Sequence, residues 1–177
     1  MKVFDARRNH INLFVDFFPK TLRSVDPMVW PSIFDTHLAP GFTESRRIQL
    51  GYSSLLKPPP WIGRYPPFWD EYDQLCCFIK ENKIANDSYT LIMVTDINAN
   101  PTDRFRLIGY DVITDSFISG ISNFFPNNIK NYQNELNENF LFEQMLTAKK
   151  FARTMEEKFN STHPSWSVKK LWLKEKP

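Results

Sequence analysis

The sequence predicts an α+β fold, with a mainly antiparallel sheet of about five strands and two main helices packed on one face. Two long apolar stretches, 89–97 and 104–113, flank a short polar connection. Shorter stretches of alternating apolar residues occur near both ends of the chain, and two segments repeat apolar residues at helical spacing. Because 177 residues fit one domain with a full-sized core, we expect a single domain over 1–177.

The first third of the chain predicts two strands separated by ordered loop. Residues 10–18 and 47–52 place apolar side chains at alternate positions, which is typical of half-buried strands. Residues 20–44 combine prolines with aromatic residues, which favours short helical turns over a linker. Five prolines within 57–68 exclude a helix or a central strand there, and we expect its aromatic residues to fold against their own domain.

The middle of the chain predicts a helix followed by two strands. Residues 69–82 carry apolar side chains at helical spacing, with acidic groups in the first turn that complement the helix dipole. Residues 89–97 are apolar at both alternations, as an interior strand requires. Residues 104–113 are expected to pair with them as an antiparallel hairpin across a six-residue connection.

The last third predicts one long helix and one strand. A short helical turn at 116–122 follows the hairpin, with Asp115 or Ser116 as its cap. After a polar loop, an apolar stripe predicts the longest helix at 138–160, and residues 167–174 predict the final strand.

The two cysteines, Cys76 and Cys77, indicate a reducing compartment. Neighbouring residues of a helix point about 100° apart, so a disulfide between them would be strained and both are expected to be reduced core residues. No apolar run approaches the length of a membrane span, and the N-terminal residues lack the apolar segment of a secretion signal. We therefore expect a cytoplasmic protein.

No constellation of reactive residues accompanies these elements. The three histidines lie far apart in no metal-ligand spacing, and the five glycines form no phosphate-binding loop. An Asp96-x-Asn98-x-Asn100 run begins like a calcium loop, but Pro101 and Leu107 occupy positions that require glycine and glutamate. The sequence therefore predicts a protein that is not an enzyme and that uses no cofactor and no metal.

The charge layout leaves two interpretations open. Residues 61–129 carry a net charge of −4, whereas the flanks on each side carry +3. This is either ordinary mixing of surface charge or an electronegative patch that steers a basic partner. A nucleic-acid-binding module is a further alternative, from basic pairs such as Arg46-Arg47, but a net charge of +2 is low for a groove that follows phosphates.

The acidic centre supplies the predicted partner-binding residues. The electrostatic candidates are Asp70, Glu71, Asp73, Asp96, Asp103, Asp111 and Asp115, and the aromatic anchors are Trp61, Tyr65 and Tyr72. For each carboxylate the alternative is helix capping, turn formation or solvation. Asp111 interrupts an apolar strand, so we expect it to face solvent, to pair with Arg104 or Arg106, or to contact the partner.

A family resemblance supports protein binding. Residues 107–113, LIGYDVI, followed by Ser119-Gly-Ile-Ser-Asn123, resemble a segment of immunity proteins from bacterial contact-dependent inhibition and related polymorphic toxin systems. Residues 5–19 are similar to the opening of some such proteins. The resemblance implies a small cytosolic protein that binds one cognate toxin C-terminal domain, often a nuclease, and blocks it. A phage or mobile-element accessory protein is an alternative, and close packing alone would also explain Gly109 and Gly120.

Overall fold

In a computed structural model, the described residues form an antiparallel sheet of four strands with helices, which confirms the α+β class. They are residues 1–9, 21–26, 29–30, 32–33, 68–81, 83–99, 104–115, 118–123, 129–159 and 165–174. The elements are β1 (Lys2–Arg8), α1 (Tyr72–Glu81), β2 (Tyr89–Asp96), β3 (Phe105–Thr114), α2 (Gly120–Asn123), a 3-10 helix (Lys130–Glu135), α3 (Met145–Phe159) and β4 (Trp166–Lys174). The strands predicted at 10–18 and 47–52 lie outside the described residues.

The strand order is β1-β2-β4-β3, so the predicted hairpin between 89–97 and 104–113 is wrong. β4 lies between these two strands and pairs antiparallel with both, with Trp172 opposite Met93 on one side and Leu107 on the other. The physical reason is the composition of β4. Leu171 and Trp172 point to opposite faces and are both buried, which suits a strand in the interior of a sheet.

β1 is a strand that the sequence did not predict. It pairs along its whole length with β2, from Lys2 opposite Thr95 to Arg8 opposite Tyr89. Its sequence alternates apolar and charged side chains in a way that suggests one exposed face. In the structure every residue from 3 to 7 is buried, and the opposite charges of Asp5 and Arg7 pair with each other.

Both outer strands have covered edges within the described part of the chain. The amide and carbonyl of Phe4 on β1 bond to those of Trp69 at 2.7 and 2.8 Å. Tyr110 on β3 exchanges the same pair of bonds with Phe142 at 2.9 and 3.0 Å. Covered backbone groups offer little template for a foreign strand, so partner binding by strand addition is disfavoured at these positions.

The two longer helices pack on the sheet through apolar side chains. α1 contributes Leu75 and Ile79 to a cluster that takes residues from all four strands and also includes Ile33 and Trp69. Its strand residues are Phe4, Ala6, Met93, Phe105 and Trp172. α3 contributes four buried residues, Ala148, Phe151, Ala152 and Met155, to a cluster with Val112 and Trp166. In a third cluster, Val25, Trp30 and Phe68 pack against four residues of the sheet: Val3, Ile92, Val94 and Leu171.

The observed helix boundaries correct two expectations. α3 begins at Met145 and not at 138, because Phe140 has a left-handed backbone (φ 55°) and Phe142 pairs with the edge of β3. Cys77 is exposed and Cys76 half-buried, since the buried stripe of α1 passes through Leu75 and Ile79. Both cysteines are free, but the expectation that Cys77 is a core residue is wrong.

Gly109 occupies the close-packing position that the sequence allowed. Its φ is +148°, and a Cβ placed there would lie 2.6 Å from the Cβ of Leu141. A larger residue would have to push Leu141 away from β3. Among the described residues, no helix combines the length and apolar character needed to cross a membrane.

Candidate functional site

A buried ion pair lies on β1. Asp5 and Arg7 are both 0% exposed, and they point to the same side of the sheet because alternate residues of a strand share a face. Arg7 Nε lies 2.7 Å from Asp5 Oδ2. Asp5 Oδ1 accepts hydrogen bonds from the Ala6 amide and the Ser32 hydroxyl, each at 2.8 Å. The attraction between the two charges offsets much of the cost of burying each one.

The Arg7 guanidinium also holds a loop segment against the sheet. It donates from Nη1 to the Trp30 carbonyl and from Nη2 to the Val25 carbonyl, the latter at 3.1 Å. Its central carbon lies 5.3 Å from the centroid of the Phe68 ring. One side chain therefore contacts Phe68, Val25 and Trp30 and holds these three residues against β1.

Asp111 on β3 is the centre of a second buried network. Its Oδ2 accepts from the Ser24 hydroxyl at 2.7 Å and from the Val25 amide at 3.0 Å. Its Oδ1 accepts from the Ser119 hydroxyl at 2.7 Å and from the Val112 amide at 2.8 Å. All four of these donors are neutral, and Asp111 is 0% exposed.

This position corrects the expectation for Asp111. Arg104 and Arg106 are exposed, whereas Asp111 is buried and bonded to serine hydroxyls and amides. A carboxylate on an apolar strand was expected to require solvent, a cation or a partner. The structure satisfies it with four neutral donors, of which Ser24 and Val25 are distant in the sequence and could not be predicted from a local pattern. In this conformation Asp111 is not available to a partner.

A second carboxylate, Asp26, adjoins this network. It is 4% exposed, and its Oδ2 accepts from the Ser119 amide at 3.2 Å and the Ser122 hydroxyl at 3.3 Å. Ser119 Oγ in turn accepts from the amides of Ile121 and Ser122 at 3.2 and 3.4 Å. Ser119 therefore caps α2, in place of the Asp115 or Ser116 that the sequence predicted.

The electrostatics of Asp111 follow from these neighbours. The pKa of Asp111 is raised to about 6: burial is the largest cause and the nearby Asp26 carboxylate adds to it, whereas the bonds from Ser119, Ser24 and the Val25 amide partly offset the rise. At neutral pH the ionised form is favoured because four donors point at it. The hydroxyls of Ser24 and Ser119 are buried beneath the surface, so the network positions backbone and offers no nucleophile to a substrate.

The predicted carboxylates do not form one patch in the described part of the chain. Asp70, Glu71 and Asp73 are exposed at the start of α1, whereas Asp96 ends β2. Asp115 is exposed just after β3 and accepts from the Ser165 hydroxyl at 2.9 Å. Trp61, Tyr65 and Asp103 lie outside the described residues. Within these residues, no group of three histidine, cysteine or acidic side chains is placed to hold a metal ion.

Asp96 is engaged within its own chain. The Lys169 ammonium lies 2.6 Å from Asp96 Oδ1, and the N-terminal amine bonds to Oδ2. The hydrogen bond from Lys169, followed by that from the N-terminal amine, lowers the pKa of Asp96 below its usual value. A partner would have to compete with two cations for this carboxylate.

Tyr72, the predicted aromatic anchor within the described residues, is half-buried. Its ring packs 5.5 Å from that of Phe4 and 5.6 Å from that of Phe105, and the Lys174 ammonium lies 5.0 Å from its centroid. Burial raises the pKa of the Tyr72 phenol well above its usual range. The side chain therefore supports α1 on the sheet and leaves only part of its surface for a partner.

The outward face of α1 and the residues before it remain as an acidic surface. Within 70–81 there are four acidic residues and one basic residue, and all five are exposed. We call this the α1 face, comprising Asp70, Glu71, Asp73, Gln74, Cys77, Lys80 and Glu81. It contains three of the predicted partner-binding carboxylates.

A second exposed surface, on α3, was missed by the sequence analysis. Leu146 is 64% exposed and Met145 is 37% exposed. Lys149, Lys150 and Arg153 follow on the same outward side. The apolar stripe that the sequence predicts for this helix includes Met145, whose exposure corrects that expectation, and does not include Leu146. We call Leu146, Lys149, Lys150, Arg153, Glu156 and Glu157 the α3 face.

No protein-family model matches the chain, and neither a curated protein nor a solved structure resembles it significantly.

Proposed function

We propose that the chain is a non-enzymatic immunity protein of the cytoplasm that binds and blocks one cognate bacterial toxin C-terminal domain, a nuclease. The observation that carries this proposal is the α1 face, where Asp70, Glu71 and Asp73 stand exposed beside a half-buried tyrosine. The local resemblance of residues 107–113 and 119–123 to immunity proteins also supports it. An inhibitor of this kind acts by covering an active site, so it needs no catalytic residue and no cofactor.

The charge of the α1 face favours a basic partner. A nuclease binds the phosphates of its substrate with lysine and arginine side chains, so the surface around its active site is cationic. Exposed carboxylates opposite such a surface accelerate association and exclude partners of the wrong charge. An inhibitor that lays α1 across that surface would occupy the phosphate-binding positions.

Co-expression with a toxin domain tests the proposal. The toxin encoded by the gene immediately upstream is expressed alone and with this chain, and purified toxin domain is titrated with purified chain. We expect restored growth, a 1:1 complex and an association rate that falls as salt rises. If cells are not rescued and the purified proteins do not associate, the proposal is wrong.

A matched pair of variants then tests the surface. Glu71→Lys with Asp73→Lys should slow association about tenfold or more, because it reverses two exposed charges facing the partner. Lys149→Glu with Lys150→Glu changes the same number of charges on α3 and should leave toxin binding within about twofold. Normal binding by the α1 variant together with loss in the α3 variant would assign the toxin to the other face.

A further inference from the structure

The α1 and α3 faces carry opposite charges in matching order. Along the exposed side of α1, Asp73 is followed seven residues later by Lys80. Along the exposed side of α3, Lys150 is followed seven residues later by Glu157. Seven residues span about 10.5 Å of helix, so the two pairs have the same separation and inverted sign.

We infer that α1 of one copy of this chain packs parallel to α3 of a second copy, with Asp73 opposite Lys150 and Lys80 opposite Glu157. Both charge pairs are then satisfied at once, whereas an antiparallel arrangement would place like charges together. The inference goes beyond the proposed function, because it concerns the chain alone.

Two further exposed side chains, Cys77 and Leu146, fit this arrangement. Cys77 lies midway between Asp73 and Lys80 on the exposed side of α1, and its small side chain allows the two helix axes to approach closely. Leu146 lies one turn before Lys150 and is 64% exposed, so it gains contact with the segment that precedes α1.

The contact joins two different surfaces, so it is heterologous. Each copy presents one α1 face and one α3 face, and contacts of this kind continue into rings or open chains. The pairing depends on exposed charges, which makes it weak and strongly dependent on salt. A basic partner that covers the α1 face would compete with it and release single copies.

Charge-swap variants test the inference with net charge held constant. Variant one carries Asp73→Lys with Lys80→Glu, and variant two carries Lys150→Glu with Glu157→Lys. Sedimentation velocity of the full chain over a wide concentration range should reveal self-association of the natural protein at low salt, reduced at high salt. Each variant alone should associate about 10-fold to 100-fold more weakly, because like charges then face each other.

Mixing the two variants is the decisive measurement. In the mixture every α1 face again meets an α3 face of inverted charge order, so association should return to the level of the natural chain. A chain that carries all four substitutions should behave likewise. Circular dichroism of each variant verifies that α1 and α3 remain helical.

Three outcomes overturn the inference. The natural chain remains monomeric at every concentration and salt, or it associates and both variants associate equally well, or mixing the variants restores nothing. None of these results bears on toxin binding, since no toxin is present.

Discussion

Asp5 and Asp111 show two ways to bury a carboxylate on a strand. Both are 0% exposed. Asp111 accepts directly from the Val25 amide, whereas Asp5 is linked to Val25 through Arg7, which donates to the Val25 carbonyl. Asp5 lies against the guanidinium of Arg7, whereas Asp111 is held by four neutral donors with the Asp26 carboxylate nearby. The Asp5–Arg7 pair has no net charge, so the stability of this site depends on the presence of both side chains. The neutral donors around Asp111 stabilise its negative charge without cancelling it, so the stability of that site depends on pH.

The two networks meet at one residue. The Val25 carbonyl accepts from Arg7, and its amide donates to Asp111. Both polar groups of this buried backbone position are therefore satisfied by charged side chains from opposite edge strands of the sheet. Substitutions in the two networks should consequently show non-additive effects on stability.

Removal of Arg7 should have the largest effect. Arg7→Met leaves the Asp5 carboxylate buried without its cation and removes the donors to Trp30 and Val25, so we expect a loss of about 3 to 5 kcal/mol in the free energy of unfolding. Urea denaturation followed by tryptophan fluorescence measures this loss. Combining Asp5→Leu with Arg7→Met should recover part of it, because no unpaired charge remains. A loss below about 1 kcal/mol for Arg7→Met would mean that the ion pair contributes little.

Substitution of Asp111 should have a smaller effect with a distinct pH dependence. In Asp111→Asn an amide group faces two donors in place of an oxygen, so we expect a loss of about 1 to 3 kcal/mol at pH 7. The pKa of about 6 in the folded protein lies above the ordinary value of 3.8. Protonation of Asp111 therefore stabilises the folded state. This contribution is complete below about pH 3.8 and is lost as the pH rises through about 6.

The difference in free energy of unfolding between the natural chain and Asp111→Asn reports the titration of Asp111 alone. The destabilisation caused by Asp111→Asn should increase by up to about 3 kcal/mol as the pH falls from 7 to 4, because only the natural chain gains from protonation. Urea denaturation at several pH values provides the measurement. A difference that stays flat over this range would mean that burial does not raise the pKa of Asp111.

The same comparison explains what the sequence could predict. Four elements could be predicted because their apolar side chains repeat at the spacing of a strand or a helix: β2, β3, β4 and α3. β1 could not be predicted, since Asp5 and Arg7 resemble solvent-facing residues until their pairing is known. The strand order was also hidden, because the pairing of β4 with both β2 and β3 is a long-range choice that no local pattern encodes.

The candidate surfaces divide in a similar way. Asp70, Glu71 and Asp73 are exposed, which a partner-binding role requires, and their binding to a partner stays a prediction. Asp111 was misjudged, since two of its four donors, the Ser24 hydroxyl and the Val25 amide, come from residues that are remote in the sequence. Met145 was misjudged as a member of the apolar stripe, since it is the first residue of α3 and is 37% exposed.

Asp96 gives the smallest expected effect and extends the comparison to the surface. Its side chain is 42% exposed, so solvent screens its attraction to Lys169 and to the N-terminal amine. Its pKa is lowered in the folded protein, so it contributes stability above its unfolded pKa and loses it as the pH falls further. We expect Asp96→Asn to cost roughly 0.5 kcal/mol at pH 7 and nearly nothing in about 1 M salt, as measured by urea denaturation at both salt concentrations.

The variant of the buried Asp111 should keep its full cost in salt, because the donors to that carboxylate lie beyond the reach of solvent ions. If the two variants respond to salt alike, burial is not what separates these carboxylates.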